Sequence, residues 1–244
     1  MDASGATAAP VLGLEVRTPS VLDRIAEALE ARGLAAVRLD AAACARRRVR
    51  DGLAFRDHSG NPLELVVRPL NRVHRPFPGR DAGVIGFAGV VLRTLDPPRD
   101  AALWCEALGA AVADWVGDAV FLRLDDRHHR VALLPAASRA GLLAMDFEVG
   151  GLDDVMQSRY LLASRQVRLL HGPGREPFSG QIFLAFEGPG GVVFRYVAGM
   201  DRVADPAAWR PRQFEAAPGS FCAWGSPCLI PEYGGAAPGE GEMP

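Results

Sequence analysis

Apolar and polar positions along this chain change period in one order, three times over: a short alternating stretch, a stretch with helical spacing, then several short alternating or apolar runs. The first round opens with the strand pattern Leu12-Gly13-Leu14-Glu15-Val16-Arg17. Leu22, Ile25, Ala26 and Leu29 then recur at i, i+3, i+4, i+7, with Ser20 as the expected cap, Asp23 three residues on, and Gly33 as the stop. Strands are predicted at 36–39, 53–56 and 63–68, with a turn at Ser59-Gly60-Asn61-Pro62. The second round runs from Ile85 to Pro135, with a helix at 99–108 ended by Gly109 and strands at 110–116, 119–124 and 130–134. The third opens at Leu143. Its helix starts at Asp153-Asp154, where carboxylates suit the positive end of the helix dipole, and its strands are predicted at 167–170, 181–186 and 192–197. Phe55 stands nine residues before Glu64, and Phe186 nine before Arg195, which marks an internal repeat. The predicted class is α+β, built from three repeated βαβββ units.

This pattern divides the chain into a disordered N-terminus at 1–9, a single unit at 10–68, a linker rich in Arg and Pro at 69–84, a pair of units at 85–200, a closing segment at 201–230 and a disordered tail at 231–244. A chain of 244 residues, 49% hydrophobic, can bury a substantial core. A net charge of -2 gives no basic field for nucleic acid. All 27 basic residues are Arg, which excludes Schiff-base catalysis by a lysine side chain. Cys44, Cys105, Cys222 and Cys228 match no zinc spacing and read as reduced thiols of a cytoplasmic protein. Neither a signal peptide nor a membrane span is predicted. Gly172-Pro173-Gly174-Arg175 and Gly188-Pro189-Gly190-Gly191 do not follow a strand-to-helix pattern and read as turns rather than phosphate loops.

The stretches Phe87-Ala88-Gly89-Val90-Val91-Leu92-Arg93-Thr94, Gly141 to Val149 and Gly190 to Tyr196 resemble three strands of the type I extradiol dioxygenases of the vicinal oxygen chelate superfamily. That resemblance implies curved sheets from paired units that form open barrel-like modules, four units in the family against three here. It also implies an Fe(II) site of two histidines and one carboxylate. The ligand positions are occupied here by Gly89, Ala144 and Arg195. Glycine and alanine have no donor atom, and arginine is a permanent cation. No metal and no other cofactor is expected, although a slipped alignment that still binds iron stays open. Glu64 resembles a vestigial ligand of the family's metal-free N-terminal module.

Arg127-His128-His129-Arg130 resembles the strand that carries the family's acid–base histidine, which falls on His129, while His128 is expected to be structural or solvent-facing. Strand alternation puts Asp146 and Arg195 on the pocket side. Two readings follow for them. Arg195 replaces the charge of the metal and anchors an anionic ligand, with Asp146 as orienter or base, or the two form a structural ion pair. Ala185 stands where the family has a pocket tyrosine, and Glu176 and Phe178 near its polar residues; with Gly89 and Ala144 they are the expected pocket lining, more apolar and larger than the family's. The functions left open are a metal-independent acid/base enzyme on a small aromatic or polycyclic ligand, a non-catalytic binding protein of the bleomycin-resistance type, and a pseudoenzyme partner. The unpaired first unit predicts a homodimer.

Overall fold

A computed structural model of the chain describes residues 10–70 and 83–234. The expected N-terminal segment at 1–9, most of the expected linker and residues 235–244 lie outside the described residues. The fold is α+β with repeated βαβ-type elements, in two compact units, Met1–Arg75 and Pro76–Pro244.

The first unit starts with β1 (Leu12–Val16) and α1 (Pro19–Glu30). Leu22, Ile25 and Leu29 form the buried stripe of α1. The helix begins one residue before the expected cap: Pro19, with its preset φ and no N–H to satisfy, fills the first turn, and Thr18 precedes it in extended backbone. Then follow β2 (Ala36–Arg38), α2 (Ala41–Arg47), β3 (Asp51–Arg56) and β4 (Pro62–Val67). Helix α2 was not expected. Its N-cap Asp40 accepts a 2.6 Å bond from the amide of Ala43, and the helix ends at Arg48 in the left-handed region with φ 55°. The sheet order is β1-β4-β3-β2, with β1 parallel to β4. Glu64 is held by Arg47 at 2.5 and 2.6 Å.

The second unit holds β5 (Gly86–Thr94), α3 (Pro97–Glu106), β6 (Ala111–Val116), β7 (Ala119–Arg123) and β8 (Val131–Pro135). The same order returns in β9 (Gly141–Glu148), α4 (Leu152–Ser164), β10 (Leu169–Arg175), β11 (Ile182–Glu187) and β12 (Val193–Ala198). Helix α3 starts two residues earlier than predicted because Asp96 caps the amide of Arg99 at 3.1 Å and Pro97 fills the first turn. One nine-stranded sheet results, β10-β11-β12-β9-β5-β8-β7-β6-β13, where β13 is Arg212–Phe214. At its centre β5 and β9 pair antiparallel, and each is parallel to the last strand of its own repeat. Val91, Phe121, Ala132, Leu134, Leu143 and Ala144 form part of one buried core on this sheet.

The closing segment adds α5 (Pro218–Phe221) and a 3-10 turn at Pro231–Tyr233. Here the expected disorder from residue 231 is corrected. Tyr233 is buried against Phe221 and Ile230, because its ring completes the core that those residues begin. No helix among the described residues is long and apolar enough to cross a membrane. All four cysteines are free.

Candidate functional site

Pairing register brings the three expected ligand positions together. Gly89 on β5 and Arg195 on β12 both lie opposite Asp146 on β9, and Ala144 lies opposite Val91 and Val193. Directly opposed residues share a face of the sheet, so Gly89, Ala144, Asp146 and Arg195 point to one side. Gly89 has no room for a side chain: a Cβ there would sit 2.6 Å from the carbonyl oxygen of Arg130 and 3.2 Å from its carbon. These are backbone atoms fixed by the β5–β8 ladder. Gly89→Ala is therefore expected to cost about 1–3 kcal/mol, the usual range for an overpacked core. A lowered urea midpoint would report it, and an unchanged midpoint would mean that the strands part freely.

Arg195 is 2% exposed and fully engaged. One terminal nitrogen donates to Glu176, the other donates to the Tyr233 hydroxyl at 3.1 Å, and Nε stands 3.6 Å from Asp146 Oδ1. The guanidinium also lies over the rings of Phe183 and Tyr233, 5.1 and 5.7 Å from their centroids. Glu176 accepts a second bond from Ser179 Oγ at 2.6 Å. Asp146 is the less satisfied carboxylate. Its 3.6 Å separation from Arg195 is an ion pair but not a hydrogen bond, and Oδ1 has no hydrogen-bond partner. Burial raises its pKa to about 6; Arg195 pulls the other way, and the neighbouring Glu176 adds to the rise.

His129 ends a buried polar chain. Asp114 on β6 lies below the ordinary carboxylate range: burial pushes it up, but bonds from His128 and Arg212 outweigh that. Asp114 Oδ2 is 2.8 Å from His128 Nε2, and His128 Nδ1 is 3.1 Å from His129 Nδ1. Asp114 accepts from His128 Nε2, and the two Nδ1 atoms share one hydrogen bond. His129 Nε2 has no hydrogen-bond partner. Burial, followed by repulsion from His128 and Arg195, holds the His129 pKa well below its ordinary value. His128 is fully buried rather than solvent-facing. Arg212 also donates to the carbonyl of Phe178 at 2.5 Å, and the Phe178 ring packs on Phe121 with centroids 4.2 Å apart.

Most of the expected pocket is packed core. Gly89 is closed by Arg130, while Ala144 and Phe178 belong to the buried cluster with Phe221, Ile230 and Tyr233. Ala185, Glu176 and Arg195 border a residual cavity of about 10 Å³, with His171, Phe221 and Tyr233 on the other sides. That is room for about one water molecule. The expectation of a larger cavity at this place is corrected: the closing segment supplies rings where Ala185 and Ala144 leave space. Phe178 is packed inside, whereas Trp224 in the closing segment is 46% exposed.

His171, beside the turn expected at Gly172–Arg175, sits on β10, which runs through that stretch; it is 4% exposed, its ring 4.7 Å from Phe183. Burial, then Arg195, lowers its pKa to about 4. Tyr233, His171, Asp114 and Arg212 all escaped sequence reasoning. The signal available for Asp114 was an acidic residue within the otherwise apolar run 110–116.

These residues do not fit the iron site that the fold implies. Two of its three ligand positions carry no donor, the third carries a paired cation, and the first has no space for an imidazole. Among the described residues no group of three or more His, Cys, Asp or Glu is placed to hold a metal ion.

Residues 86–196 match the model described as Glyoxalase/Bleomycin resistance protein/Dioxygenase superfamily. The chain is 32% identical over 136 residues to a biphenyl-2,3-diol 1,2-dioxygenase of a Pseudomonas species, a match that covers 50% of this chain and 46% of that protein. It is 26% identical over 225 residues to an iron-dependent extradiol dioxygenase of Rhodococcus jostii, covering 84% of this chain and 75% of the relative. The chain thus spans about half the length of the first of these relatives. Among solved structures, a Mn(II)-bound glyoxalase from Novosphingobium aromaticivorans superposes with a TM-score of 0.79 at 23% identity, covering 91% of this chain and 73% of that one. Homoprotocatechuate 2,3-dioxygenase from Arthrobacter globiformis gives 0.76 at 20% identity, covering 93% and 73%. The match places the segment 86–196, with the ligand positions of the iron site substituted, in the glyoxalase/bleomycin-resistance/dioxygenase superfamily, and the chain shares the fold of the solved relatives.

Proposed function

We propose that this chain is a metal-free, non-ring-cleaving member of its superfamily, a pseudoenzyme in which the former catalytic face has become structural core. The observation that carries this reading is Arg195: it stands where the family holds a carboxylate ligand, and Glu176, Tyr233 and Asp146 engage it beside a void of only about 10 Å³. Turnover at that face is then not its role, and a βαβββ unit at 10–68 precedes a pair at 85–200 in the sequence. Elemental analysis after anaerobic Fe(II) loading, run beside cleavage of a simple catechol, tests it. The expected result is iron far below one per chain and no ring cleavage. Stoichiometric iron with cleavage would overturn the reading.

One observation favours a second function, metal-independent acid/base chemistry on a small aromatic or polycyclic ligand. His129 Nε2 and Asp146 Oδ1 are both buried without a hydrogen-bond partner, and buried polar atoms of this kind concentrate at functional sites. In this reading His129 is the base, Asp146 assists and Arg195 anchors the developing anion, with the segment at 218–233 displaced to admit the ligand. Conversion of such a ligand that survives His129→Ala unchanged would remove this role from His129.

A further inference from the structure

The first unit carries five exposed arginines, Arg17, Arg46, Arg48, Arg50 and Arg68, whose side chains join no ion pair or hydrogen bond among the described residues. The backbone brings them to one end of the sheet. Arg17 and Arg68 directly follow Val16 and Val67, which are paired across the parallel strands β1 and β4. The amide of Arg50 donates to the carbonyl of Val67 at 2.9 Å, and the carbonyl of Arg48 accepts from the amide of Leu70 at 2.7 Å. Arg46 lies in the last turn of α2, which ends at Arg48. Two carboxylates beside them are already taken, Asp51 by Arg38 and Glu64 by Arg47. Asp51 feels Arg50 only through space.

Stability does not account for this set. Arg46 and Arg48 suit the negative end of the α2 dipole, which leaves Arg17, Arg50 and Arg68 unexplained. Arg48 and Arg68 stand in left-handed backbone, with φ 55° and 48°, two of the three non-glycine residues that do so among the described residues. Glycine takes that conformation freely, whereas arginine there gives up stability, and so does the crowding of like charges. Strained side chains without an internal partner point to a partner outside the chain.

We propose that this end of the first unit docks on an anionic membrane surface, with the arginines on lipid phosphates and carboxylates and Leu70 entering the headgroup layer. Guanidinium forks match both groups bidentately. Neighbouring strands lie about 4.8 Å apart, so the set spreads over the ends of three strands and a helix as an open face, suited to a surface rather than to one small anion. Leu70 is 63% exposed, two residues from Arg68. An apolar side chain among these cations gains burial in lipid and has no counterpart among nucleic-acid phosphates. Nucleic acid is also the weaker fit because Phe55 is the only Phe, Tyr or Trp in the described part of the first unit, and at 5% exposed it offers no ring for base stacking. The net charge of -2 does not oppose docking, since charges more than about 8 Å from the lipid are largely screened.

Co-sedimentation of the full chain with lipid vesicles tests this. At about 0.1 M salt the chain is expected to pellet with phosphatidylcholine vesicles that hold about one-third phosphatidylserine, and not with pure phosphatidylcholine. Binding is expected to fall away at about 0.5 M salt. Arg48→Gly and Arg68→Gly suit their left-handed backbone, so neither is expected to lower the urea midpoint. Each is expected to weaken binding about fivefold, and the two together about 30-fold. Leu70→Ser is expected to weaken binding with the salt dependence unchanged. No pelleting with the anionic vesicles, equal pelleting with the neutral ones, or binding indifferent to both glycine substitutions overturns the proposal. So does duplex DNA bound more tightly than the vesicles through the same two arginines, which would assign the patch to nucleic acid.

Discussion

Arg195→Met is expected to lower the unfolding free energy by about 3–5 kcal/mol, the range for removing one partner of a buried ion pair. The substitution nearly keeps the volume of the side chain, so the loss is electrostatic in origin. Glu176 and Asp146 are each 2% exposed and would be left without their cation, and Tyr233 would lose its donor. The measurement is the urea midpoint at unchanged slope. The decisive companion is Arg195→Met combined with Glu176→Gln and Asp146→Asn. With no charge left in the cluster, most of the lost stability is expected to return, since uncharged replacement of a whole buried network is commonly near neutral. A single variant as stable as the wild type would mean that Arg195 does not hold the centre together.

The second large effect lies in the pH dependence of stability. Asp146 has a folded value of about 6, above its ordinary 3.8, so between these the native state keeps a proton that the unfolded chain releases. That contribution is complete below 3.8 and is lost as pH rises through 6. His171, at about 4 against an ordinary 6.5, has the opposite sign: its contribution is complete above 6.5 and is lost as pH falls through 4. His129 is displaced in the same direction as His171. At pH 5 Asp146 and His171 together bind one proton in the unfolded chain, on His171, and one in the native state, on Asp146, so their contributions to the slope nearly cancel. Asp146→Asn removes the native proton and leaves a loss of about 1.4 kcal/mol per pH unit on acidification between pH 6 and 4. At pH 8 the same variant is expected to exceed the wild type by about 3 kcal/mol, because it no longer ionises a buried carboxyl. Urea midpoints from pH 4 to 8 check both ends. Parallel profiles for the two proteins would show that Asp146 titrates at its ordinary value.

The periodic elements were legible because their signals are local. The stripe Leu22, Ile25, Leu29 belongs to α1, and strand alternation placed Asp146 and Arg195 on one face, where the register sets them opposite each other. Helix α2 was not legible, since seven residues rich in alanine have no apolar period to read. His171 was hidden by its neighbours: Gly172-Pro173-Gly174 reads as a turn, whereas the irregular pairing of β10 with β11 absorbs it. Glu176, by contrast, was named from a loose loop alignment, and the tight turn at Glu176–Gln181 carries it to Arg195. What the sequence withheld most completely was the filling of the centre. Tyr233 lies 38 residues beyond Arg195, in a stretch whose Gly, Pro and Glu content reads as tail. Likewise the link from Asp114 to His128 spans two strands, and no local pattern announces a contact of that kind.

The closeness of Gly89 to the Arg130 carbonyl sets the terms for anyone who would engineer this protein back into an iron enzyme. Exchanging three side chains is a change of sequence alone, and it suffices where the backbone still has the parent's spacing. Here β5 and β8 lie too near each other for an imidazole between them. A histidine at position 89 would have to force its own space before it could offer a nitrogen to metal. The route back therefore begins with main-chain redesign of β5 or of the turn before β8, and the choice of ligands comes second.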